Sequence, residues 1–147
     1  MNQDHLCQAL EAMVRAVRLA LMGELGRSLP SGQAVACRAL LPPWSPGLYQ
    51  IGDRRVHAGQ VWRCCQGHDS RQDQQIVPGQ APAHWAADHA ADARWALPYA
   101  QPAGAHDAYA AGDYILWRDG ETYRCRRDGC AHDPDADPQG WEPVRNP

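Results

Sequence analysis

Two stretches of this chain are written to one pattern. Residues 49–85 read YQIGDRRVHAGQVWRCCQGHDSRQDQQIVPGQAPAHW, and residues 109–141 read YAAGDYILWRDGETYRCRRDGCAHDPDADPQGW. Aligned, Tyr49 meets Tyr109, Gly52-Asp53 meets Gly112-Asp113, and Gly59 meets Gly120. Trp62 then meets Tyr123, Cys64 meets Cys125, and Trp85 meets Trp141. An ordered set of this kind marks a tandem repeat of one small unit, and a repeat constrains a fold before any local signal does. The 147 residues therefore divide into several small units rather than one ordinary domain.

Within each unit the local signals are those of a hairpin. Gly-Asp suits the close of a tight turn, because glycine tolerates positive φ and Asp bonds its own backbone. RRVH (54–57) and YILW (114–117) read as outgoing strands, and QVWRC (60–64) and ETYRC (121–125) as returning ones. Ala58-Gly59 and Asp119-Gly120 supply the turns between them. Strands this short cannot build a thick core, and large aromatics fill that need, each burying roughly 150–250 Å². Tyr49, Trp62, Trp85, Tyr109, Tyr123 and Trp141 are accordingly expected in the module cores, together with Trp44 at the start of the first copy.

The skeleton, W-x-x-x-x-Y-x-x-G-D from Trp44 followed by G-x-x-[WY]-x-C and a Pro-containing loop to Trp, resembles carbohydrate-binding modules of families 5 and 12. The resemblance covers residues 44–85 and 109–144. It implies small β-modules of the chitin-binding type, which occur in chitinases, cellulases and bacteriophage tail proteins. Chitin-binding members carry two consecutive exposed aromatics where this chain has Gln66-Gly67 and Arg127-Asp128. The stacking platform of the family is thus replaced in both copies, and little retention on chitin is expected.

The expected fold class is mainly β with an N-terminal α-helix and two small β-modules in tandem. Residues 1–27 hold the helix, 28–43 a connecting segment, 44–86 the first module, 87–108 a linker and 109–147 the second module. Over residues 4–25, Cys7, Leu10, Val14, Val17 and Leu21 step 3-4-3-4, a short heptad seam, with Asp4 as N-cap and Gly26 as stop. A helix this short is marginal alone in water. It must dock on its own chain or on copies of itself, and self-association as a homo-oligomer, with a trimer as the expected stoichiometry, is favoured. Gln33–Leu41 alternates enough for a strand, although its alanines leave a short helix open. In the linker, Leu97-Pro98-Tyr99 echoes Leu41-Pro42-Pro43-Trp44, so Tyr99 is expected to play the part of Trp44.

Composition narrows function further. All 14 basic residues are Arg and the net charge is -3, which argues against nucleic acid as partner. The basic knot Arg124, Arg126 and Arg127 is followed by a loop carrying Asp128, Asp133, Asp135 and Asp137, read as local charge balance. No run approaches the roughly 18 apolar residues of a membrane span, and the N-terminal residues do not resemble a secretory signal.

Cys7 and Cys37 are expected as apolar fillers. The pairs Cys64-Cys65 and Cys125/Cys130, with His68 and His132, admit three readings: buried thiols, a Cys125–Cys130 disulfide, or an incomplete zinc set. No cofactor, bound metal or catalytic residue is expected, and none of the sequence's motifs points to an enzyme. The aromatics outside the skeleton, Trp117, Trp95 and Tyr99, are the candidate ligand-binding residues, for stacking on a pyranose or anchoring an interface. The expected function is a bacteriophage tail-tip or baseplate protein, a virion component assembled in the host cytoplasm. Its expected partners are copies of itself, other tail proteins and host-surface glycans; a stand-alone carbohydrate binder is the alternative.

Overall fold

The computed structural model describes residues 2–145. Three helices come first: α1 (Gln3–Leu21), α2 (Glu24–Ser28) and α3 (Ser31–Ala36), followed by a 3-10 turn at Arg38–Leu40. Nine short strands follow among the described residues: β1 (Leu48–Tyr49), β2 (Arg54–His57), β3 (Gln60–Cys64), β4 (His68–Asp69), β5 (Trp85–Ala87), β6 (Leu97–Pro98), β7 (Tyr114–Leu116), β8 (Thr122–Cys125) and β9 (Trp141–Pro143). The chain is mainly β with an N-terminal helix and two tandem modules, as its sequence leads one to expect.

The helix begins two residues earlier than expected. Asn2, not Asp4, caps it, accepting the His5 N–H at 2.9 Å. It also ends earlier, at Leu21, and the chain turns through Met22-Gly23 into α2. Gly26 is no helix stop. It lies inside α2 where that helix folds back on the end of α1, and a Cβ there would fall 1.9 Å from the Leu21 carbonyl oxygen. Of α1 only Leu21 is buried; its other residues face solvent.

The strand expected over Gln33–Leu41 is helical instead. Pro30 supplies the carbonyl that accepts the Ala34 N–H at 2.9 Å, and the Ala-rich run has the propensity to continue. Ala34 and Val35 are then buried together against Leu41, Val61, Ala90 and Leu97.

The repeat is exact in register. In the first module Arg55 faces Trp62 and Cys64 faces Trp85, in the order β2-β3-β5. In the second, Ile115 faces Tyr123 and Cys125 faces Trp141, in the order β7-β8-β9. Gly52 and Gly112 both sit at φ 92°, and Asp53 and Asp113 each accept the backbone N–H three residues back at 2.8 Å. The hairpins differ by one residue: Ala58-Gly59 closes the first, while Trp117 and Glu121 bracket a three-residue turn in the second.

Each module also has a parallel lead-in. Pro43 bridges Val56, and Pro98 in β6 pairs with Leu116. Residues 87–108 are therefore not a linker. Ala87 completes β5, Ala90 bridges Tyr114, and Leu97 pairs with β7 while buried in the core beneath the first module. The small side chains of this segment hid its burial, since alanine and aspartate give no periodic apolar signal.

Two aromatic cores lie on the equivalent faces of the two sheets. Tyr49, Cys64 and Trp85 form one, and Tyr109, Ile115, Cys125, Cys130 and Trp141 the other. The Tyr–Trp pairs meet edge-on at 5.0 Å and 76° in the first and 5.2 Å and 71° in the second. Trp44, Trp62 and Tyr123, expected in the cores, are half-buried at their margins. Two of them reach an acceptor at the surface, Trp62 Nε1 to the His57 carbonyl at 3.0 Å and the Tyr123 hydroxyl to Asp119 at 2.7 Å.

Candidate functional site

The lead-in strands build the same corner twice. Each lead-in bridges the outgoing strand at a proline, which can donate no N–H of its own. The next residue donates its own N–H to the outgoing strand, Trp44 to the Val56 carbonyl at 2.9 Å and Tyr99 to the Leu116 carbonyl at 3.3 Å. Tyr99 thus takes the position of Trp44. Its ring meets the last aromatic of the outgoing strand: Tyr99 and Trp117 lie at 5.5 Å and 89°, Trp44 and His57 at 5.2 Å and 68°. Both are T-shaped pairs, the arrangement ring quadrupoles favour.

In the second module this corner is a shallow cavity of about 320 Å³ lined by Pro98, Tyr99, Leu116, Trp117 and Arg118. Its walls are apolar ring and aliphatic surface with one cation at the lip. The Arg118 guanidinium lies over the Trp117 ring at 4.9 Å and pairs with Asp135 on the facing loop. Tyr99 is held from behind by stacking on Tyr109 at 5.4 Å and by its hydroxyl donating to Gln101 at 3.0 Å. Burial, with Asp133 nearby, pushes the Tyr99 phenol up to about 12, so it stays neutral. In the first module a cavity of about 370 Å³ opens beside Trp44, lined by Pro46, Ser70, Arg71 and Gln74. Arg71 is fixed there by a bidentate pair with Asp69 at 2.9 and 2.8 Å.

Of the three aromatics expected to bind ligand, the structure joins Tyr99 and Trp117 and leaves Trp95 apart. Trp95 stands on a 3-10 turn, exposed, between the Arg38 and Arg94 guanidiniums at 5.7 Å each. Trp117 is not the fully exposed indole that its flanking Arg118 and Asp119 suggest; it is half-buried against Tyr99. Gln66-Gly67 and Arg127-Asp128, at equivalent loop positions of the two modules, are exposed. Arg127 pairs with Asp137, and Asp128 accepts the Ala111 N–H at 3.0 Å.

Neither core cysteine, Cys64 or Cys125, is an activated thiolate. All six are free thiols; Cys7 is exposed rather than packed, and Cys37 half-buried. Burial pushes both Cys64 and Cys125 up to about 11, the reverse of an activated thiolate. No group of three or more His, Cys, Asp or Glu among the described residues could hold a metal ion.

The seam residues expected to set the oligomer lie along one side of a projecting helix. Leu10 is 51% exposed, Val14 36% and Val17 37%, and Cys7 is exposed with them, while Leu21 roots the helix in the body. Leu10, Val14 and the stems of Arg15 and Arg18 line a groove of about 400 Å³ along α1.

One buried polar cluster escaped the sequence altogether. Arg54 points inward from β2, donating from Nη1 to the Gly26 and Leu29 carbonyls at 2.9 and 2.6 Å, with its Nε 2.8 Å from Asp88. Burial pushes the Asp88 carboxyl above its usual range, while Arg54, Ser31 and Arg63 pull it back. The one signal available was two consecutive arginines in a strand, which forces one of them inward.

No known protein family matches the chain, and no curated protein matches it either.

Proposed function

We propose that this chain is a non-enzymatic, self-associating attachment protein of a bacteriophage tail tip or baseplate. In it α1 gathers copies into a homo-oligomer, with a trimer as the expected number. The two family 5/12-like modules present their corners to host-surface glycans or to neighbouring tail proteins. The observation that carries the proposal is the duplicated aromatic corner, strongest at Tyr99 and Trp117, where apolar rings meet an arginine at the surface. A pyranose offers a flat C–H face and a rim of hydroxyls, and that mixture suits a Trp–Tyr corner with Arg118 at its lip. The same residues suit a protein partner, since Trp, Tyr and Arg are the favoured anchors of interfaces.

The projecting helix supports the self-association. A 19-residue helix with an apolar seam open to water has its free energy lowered by any partner that covers it, and a second and third copy bring the same seam. The size of the Tyr99–Trp117 cavity favours the alternative, a stand-alone carbohydrate binder, to the extent that isolated sugars bind. Light scattering of the purified chain together with glycan-oligosaccharide titration separates the two. An oligomer with weak or no oligosaccharide binding supports the tail component, and a monomer that binds oligosaccharide tightly overturns it.

A further inference from the structure

Cys125 and Cys130 share one small core inside the second module. Both are buried, Cys125 at 0% exposure and Cys130 at 2%, in one cluster with Tyr109, Ile115 and Trp141. Cys130 is held by backbone hydrogen bonds in both directions with Tyr109, each 2.9 Å, and Cys125 lies across the ladder from Trp141. Both thiols sit in that one cluster, and Cys130 adds to the upward push that burial gives the Cys125 thiol. Cys125 donates to the Arg127 carbonyl at 3.0 Å, and Cys130 to the His132 carbonyl at 3.5 Å and the Asp137 carboxylate at 3.8 Å. Between them residues 126–129 make a tight loop that turns at Gly129, φ 73°.

The first module supplies an internal comparison. There Tyr49 bridges His68 as Tyr109 bridges Cys130, so His68 occupies the position of Cys130. Its Nδ1 lies 3.8 Å from the Cys64 sulfur. One position thus places a side chain over the core cysteine in both copies, and only in the second is that side chain a thiol.

We propose that Cys125 and Cys130 are an oxidisable dithiol, converted to a disulfide by exchange with a small-molecule disulfide such as glutathione disulfide. One cysteine, as thiolate, attacks the small disulfide, forming a mixed disulfide and releasing one small thiol. The second cysteine attacks the protein sulfur of that mixed disulfide, closing the Cys125–Cys130 bond and releasing the second small thiol. Two protein thiols are oxidised, one small disulfide is reduced to two thiols, and the two protein protons end on those thiols. Because burial raises Cys125, thiolate is scarce at neutral pH and the exchange is slow, proceeding through opening of loop 126–129. The bond would form in an oxidising medium and stay open in a reducing cytoplasm. The first module has no equivalent.

The full-length chain is incubated with glutathione disulfide, alkylated after denaturation, digested with trypsin and mapped by mass spectrometry. The expected product joins the dipeptide Cys125-Arg126 to the peptide of residues 128–145, about 2 Da lighter than the two free peptides. The melting temperature should rise by roughly 5 °C on oxidation and fall back with dithiothreitol. Cys130→His, which borrows the residue of the first copy, should show neither the linked peptide nor the rise. Separate alkylation of Cys125 and Cys130 after oxidation overturns the proposal, as does an undiminished rise in Cys130→His. If that variant fails to fold, the peptide map of the unaltered chain decides alone. Cross-linking only through the exposed Cys7 counts against the proposal.

Discussion

Truncating Trp85 or Trp141 to alanine should remove about 3–5 kcal/mol of stability, because each indole is buried against a tyrosine edge in a core of only a few side chains. Trp62→Ala and Tyr123→Ala should cost clearly less, on the order of 1–2 kcal/mol, since both rings are half-buried. Chemical denaturation of the four variants checks this; equal losses in all four would mean the margin residues are as well packed as the centre. The equivalence of Trp62 and Tyr123 was legible from spacing alone, but their burial was not. Position in a repeat fixes which strand face a ring occupies, whereas depth depends on what covers that face. Trp117 belongs to the same lesson, for its partner Tyr99 arrives from a segment with no strand signal. Binding of β-1,4-linked N-acetylglucosamine oligomers should be weak or absent by calorimetry. Hydrogen bonds from Arg and Gln mostly replace those to water and yield only about 1 kcal/mol each. Any residual affinity should disappear in Trp117→Ala, and tight binding indifferent to that change would place the sugar elsewhere.

At the level of elements, two are held to the body in opposite ways. α1 stands off, tied by Leu21 and by Arg18 donating to the Ala39 carbonyl at 3.3 Å. Leu10→Asp with Val17→Asp should therefore leave the fold intact and abolish self-association, since a charge in a covered seam is expensive and the same charge in water is not. Light-scattering chromatography should return a folded monomer; an unaltered oligomer would move the contact to another surface. α2 is the reverse case, clamped by the Arg54 guanidinium on the Gly26 carbonyl within it and the Leu29 carbonyl just past its end. Arg54→Met should destabilise the chain by about 3–5 kcal/mol, because it strands the buried Asp88 and two helix-end carbonyls at once. A melting temperature close to that of the unaltered chain would show that water can replace the arginine. The heptad stripe made α1 legible. α3 reads as either strand or short helix in the sequence, because a six-residue helix is too short for its period to separate from alternation.

The whole molecule should unfold in one step. Leu97 pairs with the second sheet while buried in the first core, Tyr114 packs on that same core, and the His89 ring stacks on Tyr109 at 3.7 Å with its Nδ1 3.3 Å from Asp113. Scanning calorimetry should give matching calorimetric and van't Hoff enthalpies, and two resolved transitions would mean the modules melt independently. The repeat made the modules visible in sequence, but not the seam between them, which is written in alanine, aspartate and one leucine. That seam follows a rule. Arg54 and Tyr114 occupy the same place in their two sheets, and each grips what precedes it, α2 in one case and the first module in the other. What this chain repeats is then a socket as well as a sheet. A further copy behind the second would be seated by its residue at that place together with a lead-in strand like that of Leu97, so the means of joining copies travels within the repeated unit.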